Sequence, residues 1–225
     1  MKSHGKRYTA MKDAVPSEPQ ELTQALEFVL NNTSEKFDES VEVHIRLGVD
    51  PTKSDQMVRG TVNLPHGTGK SLKVAAFVPE KLEKEAKEAG AEVVGGEALI
   101  EQIEKKPEIN FEVAVATPEM MPKLAKIAKI LGPKGLLPNP KNETVGPDVK
   151  KLVEGLKAGK AAYRMDEQGN IHQSVGKVSF GADKLKENAD AFLEAVQKAK
   201  PESTKGSYIK GKYLCSTMGP SIPLI

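Results

Sequence analysis

The stretch of this chain that is best suited to chemistry is GTGKS, at residues 67–71. In a phosphate-binding loop, glycine-rich backbone amides and a lysine hold the phosphates of a nucleotide. That motif needs a further glycine five residues before Gly69, where this chain has Leu64, and the preceding segment ends in Pro65. A crossing between two domains is therefore favoured at residues 65–69. A nucleotide-binding enzyme that uses GTGKS remains the alternative.

The single cysteine and the four histidines add little chemistry at the level of sequence. One cysteine, Cys215, excludes an internal disulfide and any metal site with several cysteine ligands. A nucleophilic thiol needs a basic partner, and because none lies nearby in sequence, a packed thiol is predicted. The histidines lie in separate segments without metal-ligand spacing, at positions 4, 44, 66 and 172. We therefore expect no metal site, no cofactor and no catalytic residue.

The composition is that of a soluble globular protein. Hydrophobic residues make up 38% of the 225 positions, charged residues make up 28%, and there is no tryptophan. This length suits two domains of ordinary size. No apolar run approaches the length of a membrane span, and the N-terminal MKSHGKRY lacks the apolar centre of a signal peptide. We expect a cytoplasmic protein that does not contact a membrane.

The net charge of +2 is too small to indicate a nucleic-acid-binding protein, but the basic residues are clustered. Two clusters lie near the ends of the chain: Lys2, Lys6, Arg7 and Lys12, and Lys200, Lys205, Lys210 and Lys212. Such clusters contact phosphates with salt-sensitive affinity. Lysines that only keep a surface soluble have the same pattern, so both interpretations stay open at this point.

In the first part of the chain, a helix is followed by two alternating segments. Apolar residues at helical spacing over residues 22–30 predict one face of a helix that packs in a core. Over residues 41–47, four apolar residues alternate with Glu42, His44 and Arg46, and residues 58–64 alternate in the same way. We predict two strands that share a polar face. This face is suited to nucleic-acid recognition, although a solvated outer face has the same pattern.

The middle of the chain changes to short apolar runs separated by helices. Strands are predicted at residues 74–78, 92–94 and 111–116, each followed by a helical segment. This order is typical of a parallel sheet covered on both faces. No G-x-G-x-x-G follows any of these strands, so a dinucleotide site is not indicated. The loop GPKGLLPNPK at residues 132–141 is predicted to be a contact surface or a structural excursion.

Alternation returns in the last third of the chain. Residues 161–165 and 171–175 are predicted to form a hairpin, and an amphipathic helix follows around residues 185–196. A final strand at residues 207–216 brings a hydroxyl, a flexible apolar side chain and a permissive glycine to its end, at Thr217, Met218 and Gly219.

Several strings resemble one family, the L-one family of bacterial large-subunit ribosomal proteins. They run in the family's order along nearly the whole chain and include KFDESVEV at 36–43, LPHGTGK at 64–70, ILGPKGLLPNPK at 130–141 and STMGPS at 216–221. The resemblance implies two domains, α/β and α+β. A discontinuous α+β RNA-binding domain would comprise residues 1–66 and 158–225, and an inserted Rossmann-like α/β domain with a parallel sheet would comprise residues 67–157.

The resemblance also implies a function and a set of partners. The protein would be a non-enzymatic constituent of the large ribosomal subunit, monomeric when free of the ribosome. The first domain would bind large-subunit rRNA in the mobile side stalk, and would repress translation by binding the mRNA of its own operon. The second domain would contact exit-site tRNA and assist its release. The RNA contacts implied at matching positions are Lys36, Phe37, Glu42, Thr217, Met218 and Gly219, with His172 and Lys177 as further candidates.

The chemistry of these residue types is compatible with RNA recognition. Phe37 offers an aromatic plane to a base or ribose, and Glu42 can accept hydrogen bonds from base amines or 2′-hydroxyls. Core packing is the alternative role for Phe37. Met57 and Met165 depart from the family's pattern, which has asparagine at both positions, so no RNA contact is transferred to them.

Overall fold

The computed structural model describes residues 5–33, 36–53, 55–106, 109–204 and 206–225. The predicted basic residues Lys2 and Lys205, and also His4, lie outside these ranges. The helices are α1 (Lys6–Ala14), α2 (Leu22–Asn31), α3 (Glu83–Glu88), α4 (Glu97–Lys105), α5 (Met121–Leu124), α6 (Ala128–Leu131), α7 (Val149–Ala158) and α8 (Ala182–Lys198). The strands are β1 (Ser40–Leu47), β2 (Arg59–Asn63), β3 (Val74–Phe77), β4 (Val93–Gly95), β5 (Val113–Ala116), β6 (Lys160–Arg164), β7 (Asn170–Lys177), β8 (Ile209–Ser216) and β9 (Ile222–Leu224).

The chain divides into two compact units. Unit 1 comprises Met1–Gly69 and Ala161–Ile225, and unit 2 comprises Lys70–Lys160. The chain thus passes from one unit to the other after residues 69 and 160. The predicted domain boundaries, after residues 66 and 157, are three residues earlier at each point. In the described parts of the chain, no helix is long and apolar enough to cross a membrane.

Unit 1 is built on a four-stranded sheet with the order β7-β1-β8-β9. β1 pairs antiparallel with both β7 and β8, and β8 pairs antiparallel with β9. The apolar residues of β1 alternate as predicted, and all four are buried against α2 and α8 in one core. The opposite face of β1 carries Glu42, His44 and Arg46, so the sheet has an open polar face.

Two predicted strand pairings are wrong. β2 does not share a sheet with β1 but forms a separate two-stranded sheet with β6. The predicted hairpin at residues 161–175 is likewise absent, because β6 pairs with β2 while β7 pairs with β1. The local turn is present, since Asp166 accepts backbone hydrogen bonds from Gln168 and Asn170 at 2.9 and 2.7 Å. A turn therefore forms between two strands that belong to different sheets.

Unit 2 contains the parallel sheet that the sequence predicts. Its strand order is β4-β3-β5, with β3 parallel to both neighbours. Alternate residues of β3 enter different hydrophobic clusters: Ala75 and Phe77 pack on one side of the sheet, and Val74 and Ala76 on the other. Both faces are thus covered, and the mixed α/β class with a parallel sheet is confirmed. The helix predicted after β5 is instead a series of short α and 3₁₀ turns between Pro118 and Leu131.

Candidate nucleic-acid interface

The loop at residues 36–39 and the loop at residues 217–219 are brought together by the pairing of β1 with β8. These strands are antiparallel, and Val41 lies opposite Ser216. The start of β1 is therefore beside the end of β8, although more than 170 residues separate them in sequence. Because the core side of both strands is buried, the two loops extend from a firmly packed sheet.

Thr217 and Ser40 bind each other through backbone and side chain. The Thr217 amide donates to the Ser40 carbonyl at 3.0 Å, and the Ser40 amide donates to Thr217 Oγ1 at 2.9 Å. Two hydrogen bonds of opposite direction fix the distance between the two loops. Replacing the threonine hydroxyl would leave a backbone N–H of β1 without this acceptor.

A buried carboxylate fixes the next residue. Glu39 is fully buried, and its two carboxylate oxygens accept hydrogen bonds from the Arg7 guanidinium at 3.1 Å and from the Met218 amide at 3.3 Å. Its carbonyl also accepts from the Val178 amide at 3.0 Å. Glu39 thereby joins α1, β7's end and the loop 217–219. Glu39 has no functional signal in the sequence, because only the fold shows that its carboxylate is buried.

Gly219 completes a tight turn in which an added side chain would have to displace the Ser216 hydroxyl. Its amide donates to the Ser216 carbonyl at 3.1 Å, and a Cβ at position 219 would lie 2.6 Å from Ser216 Oγ. The predicted role of Gly219 is to let another backbone approach the end of β8 closely, and the lack of a side chain at this position is compatible with that role.

Lys177 supports the loop 36–39 from the other neighbouring strand. It lies opposite Ser40 in the pairing of β1 with β7, and its Nζ donates to the Asp38 carbonyl at 3.0 Å. The Asp38 carboxylate accepts from the Ser179 amide at 3.0 Å and from its hydroxyl at 2.8 Å. Three contacts thus hold the loop beneath Phe37.

The side chains that these contacts present are apolar and exposed. Phe37 is 49% exposed and Met218 is 58% exposed, while Lys36 and Thr217 are exposed beside them. The alternative that Phe37 packs in the core is therefore wrong. We call the group Lys36, Phe37, Thr217, Met218 and Gly219 the loop surface. It combines an aromatic ring, a flexible thioether and a cation on a backbone fixed from below.

Glu42 and His172 lie on the open face of the sheet rather than in the loops. His44 connects them: its Nε2 is 3.9 Å from Glu42 Oε2, and its Nδ1 is 2.7 Å from His172 Nδ1. His172 Nε2 is in turn 3.4 Å from Asp166 Oδ2. The eight predicted residues thus divide between the loop surface with its Lys177 support and this polar face.

The structure also corrects what the sequence indicated about Cys215 and the histidines. His44 Nε2 lies 2.9 Å from Cys215 Sγ, so the thiol has a basic neighbour that is distant in sequence. His44 and His172, which belong to separate segments of the sequence, are side by side. Burial, and after it the nearby Glu42 carboxylate, together raise the pKa of the Cys215 thiol to about 11, which keeps the thiol protonated. Burial lowers the pKa of His44, with His172 adding to that effect.

Met57 and Met165 both pack against the core of unit 1, and Met165 is only 4% exposed. The Met165 side chain is therefore not exposed for a contact with RNA.

The GTGKS segment does not have the structure of a phosphate-binding loop. No helix follows it, since the chain continues without regular structure to β3 at Val74. Gly69 has a positive φ of 71°, and a Cβ there would lie 2.8 Å from Lys177 Cγ. Gly69 therefore lets the backbone pass close to the Lys177 side chain. The alternative of a nucleotide-binding enzyme that uses GTGKS loses its structural basis.

Comparison with known proteins gives one consistent answer. The profile of the ribosomal protein L1p/L10e family matches residues 29–220. The large ribosomal subunit protein uL1 of Solibacter usitatus (strain Ellin6076) is 48% identical over 220 residues, which is 98% of this chain and 93% of that protein. The protein of the same name from Deinococcus radiodurans is 49% identical over 226 residues, which is 100% of this chain and 97% of its relative.

These similarities confirm the resemblance found in the sequence and the prediction of a non-enzymatic ribosomal protein. The family profile covers the whole of β1 and β8 and extends through the loop 217–219. The chain belongs to the ribosomal protein L1p/L10e family.

Proposed function

We propose that this protein is a constituent of the large ribosomal subunit and binds large-subunit rRNA with the loop surface. The observation that carries the proposal is the pair Phe37 and Met218, two apolar side chains that are half-exposed on a backbone fixed by Glu39 and Ser40. RNA-binding proteins stack unpaired bases on such side chains and bind 2′-hydroxyls with neighbouring polar groups. A loop surface already ordered before binding loses little entropy on association.

Each remaining candidate has a distinct part in this recognition. Lys36 neutralises a phosphate, and the Glu42 carboxylate accepts hydrogen bonds from base amines or 2′-hydroxyls. Lys177 acts from within the protein, since its Nζ holds the Asp38 carbonyl. His172 is on the open face beside His44, where it can extend the contact with RNA along the sheet.

The proposal assigns RNA binding to a discontinuous domain of residues 1–66 and 158–225, with residues 67–157 as an inserted Rossmann-like domain. Support comes from the two compact units, because the chain passes from one unit to the other within three residues of these boundaries. It also comes from the parallel sheet of unit 2, whose two covered faces suit an independently packed insertion.

Equilibrium binding to the stalk-junction fragment of large-subunit rRNA tests the proposal, with an unrelated RNA hairpin as reference at the same salt concentration. Phe37→Ala should weaken binding about 5- to 150-fold if a base stacks on the ring, which corresponds to 1–3 kcal/mol. Met218→Ala should weaken it in the same direction. Ile225→Ala is the matched control, because Ile225 is also an exposed apolar residue, at 69%, but lies outside the loop surface.

The expected result is selective binding of the junction fragment that falls with Phe37→Ala and Met218→Ala and is unchanged with Ile225→Ala. Equal affinity for both RNAs, or no effect of either loop variant, would contradict the assignment. Thr217→Val serves as a further variant. Its effect has to be compared with its unfolding free energy, because it also removes the acceptor of the Ser40 amide.

We further propose that unit 2 contacts exit-site tRNA and assists its release. Residues 121–141 contain five lysines and no carboxylate, and all five side chains are exposed. The group is Lys123, Lys126, Lys129, Lys134 and Lys141. Lys126→Gln combined with Lys129→Gln should make the plot of log affinity for tRNA against log salt concentration less steep, by the amount expected for the loss of about one or two phosphate contacts. Lys84→Gln with Lys87→Gln, also in unit 2, is the charge-matched control. Equal salt dependence for both pairs would contradict a tRNA contact here.

Repression of its own operon would use the same loop surface. If the operon mRNA presents a structure similar to the rRNA junction, the two RNAs have to compete for one site. Competition binding should show mutual exclusion, and Met218→Ala should weaken both RNAs in parallel. Simultaneous binding of both RNAs to one protein molecule would rule out a shared surface.

A further inference from the structure

The open face of the four-stranded sheet carries three side chains that can ligate a metal. Glu42 lies directly opposite Cys215 in the pairing of β1 with β8, and His44 is two residues further along β1. One ligand atom from each of the three residues lies within 4.8 Å of the other two. Within the ranges that the structure describes, this is the one group of three or more such side chains that meets this distance.

The spacing of these atoms is close to that of a tetrahedral zinc site. Bond lengths of about 2.0–2.3 Å place neighbouring ligand atoms of such a site about 3.3–3.6 Å apart. His44 Nε2 is 3.9 Å from Glu42 Oε2 and 2.9 Å from Cys215 Sγ, so the observed distances lie on either side of that range. The third pair, Glu42 and Cys215, also has its ligand atoms within 4.8 Å of each other, so side-chain rotations have to adjust these separations when the metal binds.

A chain of hydrogen bonds behind His44 sets the protonation that a metal ligand requires. When Nε2 faces the thiol and carries no proton, Nδ1–H of His44 donates to His172 Nδ1 at 2.7 Å. His172 Nε2–H then donates to Asp166 Oδ2 at 3.4 Å. Asp166 is itself oriented by the amides of Gln168 and Asn170. A carboxylate that orients a ligating histidine is a common feature of zinc sites, here extended by one further imidazole.

We propose that Glu42, His44 and Cys215 bind one Zn²⁺ ion, with solvent as the fourth ligand. The mixture of thiolate, imidazole and carboxylate favours zinc over calcium or magnesium, which prefer oxygen ligands alone. On binding, the metal takes the place of the thiol proton, which is released to solvent as Cys215 becomes a thiolate. The protons on His44 Nδ1 and His172 Nε2 stay in place. This site goes beyond rRNA binding, and Glu42 is the one of its three ligands that is also a proposed RNA contact.

Cobalt substitution of the full-length protein tests the ligand set directly. Co²⁺ added to metal-free protein should give the thiolate charge-transfer absorption of a cysteine-bound ion, and Zn²⁺ should displace it. Cys215→Ser should abolish this absorption, and His44→Gln should weaken Co²⁺ binding by more than about 100-fold, beyond the range known for outer-shell changes. His66→Gln is the control, because His66 pairs with Glu187 elsewhere in unit 1 and should leave binding unchanged.

A second measurement keeps the thiol intact. Zn²⁺ should protect Cys215 from alkylation in the wild-type protein and in His66→Gln, but not in His44→Gln. His172→Gln should weaken Zn²⁺ binding about 10- to 100-fold while keeping all three ligands, as expected for an outer-shell histidine. The proposal is overturned if wild-type protein shows no thiolate absorption with Co²⁺, or if His44→Gln binds and protects as well as His66→Gln.

Discussion

Removal of the Arg7 side chain should destabilise unit 1 far more than its position on a surface helix suggests. Glu39 is fully buried, whereas the Arg7 side chain is 47% exposed. Arg7→Gln removes a cation from a fully buried carboxylate, and breaking a fully buried pair typically costs about 3–5 kcal/mol. Here the Met218 amide still donates to Glu39, and Arg7 already contacts solvent. We therefore expect a loss of about 2–3 kcal/mol in the free energy of unfolding.

The loss of stability in Arg7→Gln arises from the charge of Glu39. Removing that charge as well should therefore restore part of the stability. The double variant Arg7→Gln, Glu39→Gln carries no charge at position 39. Its loss of unfolding free energy should therefore be smaller than the sum of the losses in the two single variants by about 1–2 kcal/mol. Lys12→Gln, which removes one positive charge from the same helix, should change stability by less than about 0.5 kcal/mol.

Urea unfolding followed by tyrosine fluorescence measures these quantities in unit 1 alone. The chain has four tyrosines and no tryptophan, and all four tyrosines, at positions 8, 163, 208 and 213, belong to unit 1. The reasoning is refuted if Arg7→Gln is no more destabilising than Lys12→Gln, or if the double variant equals the sum of the single changes. Either result would mean that Arg7 is not the group that compensates the Glu39 charge.

Three further predictions concern the packing of unit 1, and the same fluorescence assay measures each. Asn188→Ala should lower the unfolding free energy by about 2–4 kcal/mol, because this buried side chain bonds the His66 amide and the carbonyls of Gly67 and Val175. Asn63→Ala, at the exposed last residue of β2, should lower it by less than about 0.5 kcal/mol. Burial raises the pKa of Tyr208 to about 12, so the stability it contributes is complete below pH 10 and is lost between about pH 10 and 12. Tyr208→Phe should flatten that decline, and an unchanged slope would contradict the buried phenol. Gly69→Ala should lower the unfolding free energy by more than about 1 kcal/mol, because Gly69 has a positive φ and an added Cβ would contact Lys177. A stabilised variant would show that the backbone at residues 65–69 can rearrange.

The elements of this fold could be predicted from local patterns, while the partners of its strands could not. Alternation over residues 41–47 indicated the buried face of β1, because a strand places successive side chains on opposite faces. The turn at Asp166 also suggested a hairpin, yet that turn is stabilised by contacts within itself. Whether the flanking strands β6 and β7 pair with each other depends on which other strands compete for them. β1, with eight residues, is a longer partner for β7 than β6, with five, and its pairing with β7 buries apolar residues of both strands. β9, with three residues, is too short to give a periodic signal.

The candidate interface shows the same division. A resemblance between sequences identified the residues of the loop surface, and their types were compatible with binding RNA. Glu39 and His44 were not singled out as functional residues, because their roles follow from burial and from contacts with Arg7 and Cys215, which are far away in sequence. Sequence periodicity shows which face of a strand a residue occupies, but only strand register shows which residues of other strands lie beside it.

The separation between buried support and exposed contact has a consequence for any mutational study of this interface. Phe37 and Met218 have exposed side chains, so their removal should lower RNA affinity while the unfolding free energy stays nearly constant. Glu39 is fully buried, so its removal should lower both, because a loosened loop must be ordered again when RNA binds. Thr217 is exposed and also accepts the Ser40 amide, so its variants mix the two effects. Met218→Ala is therefore the decisive variant for RNA contact, and a stability change of more than about 1 kcal/mol in that variant would mean that the loop surface is not preorganised as the contacts of Glu39 indicate.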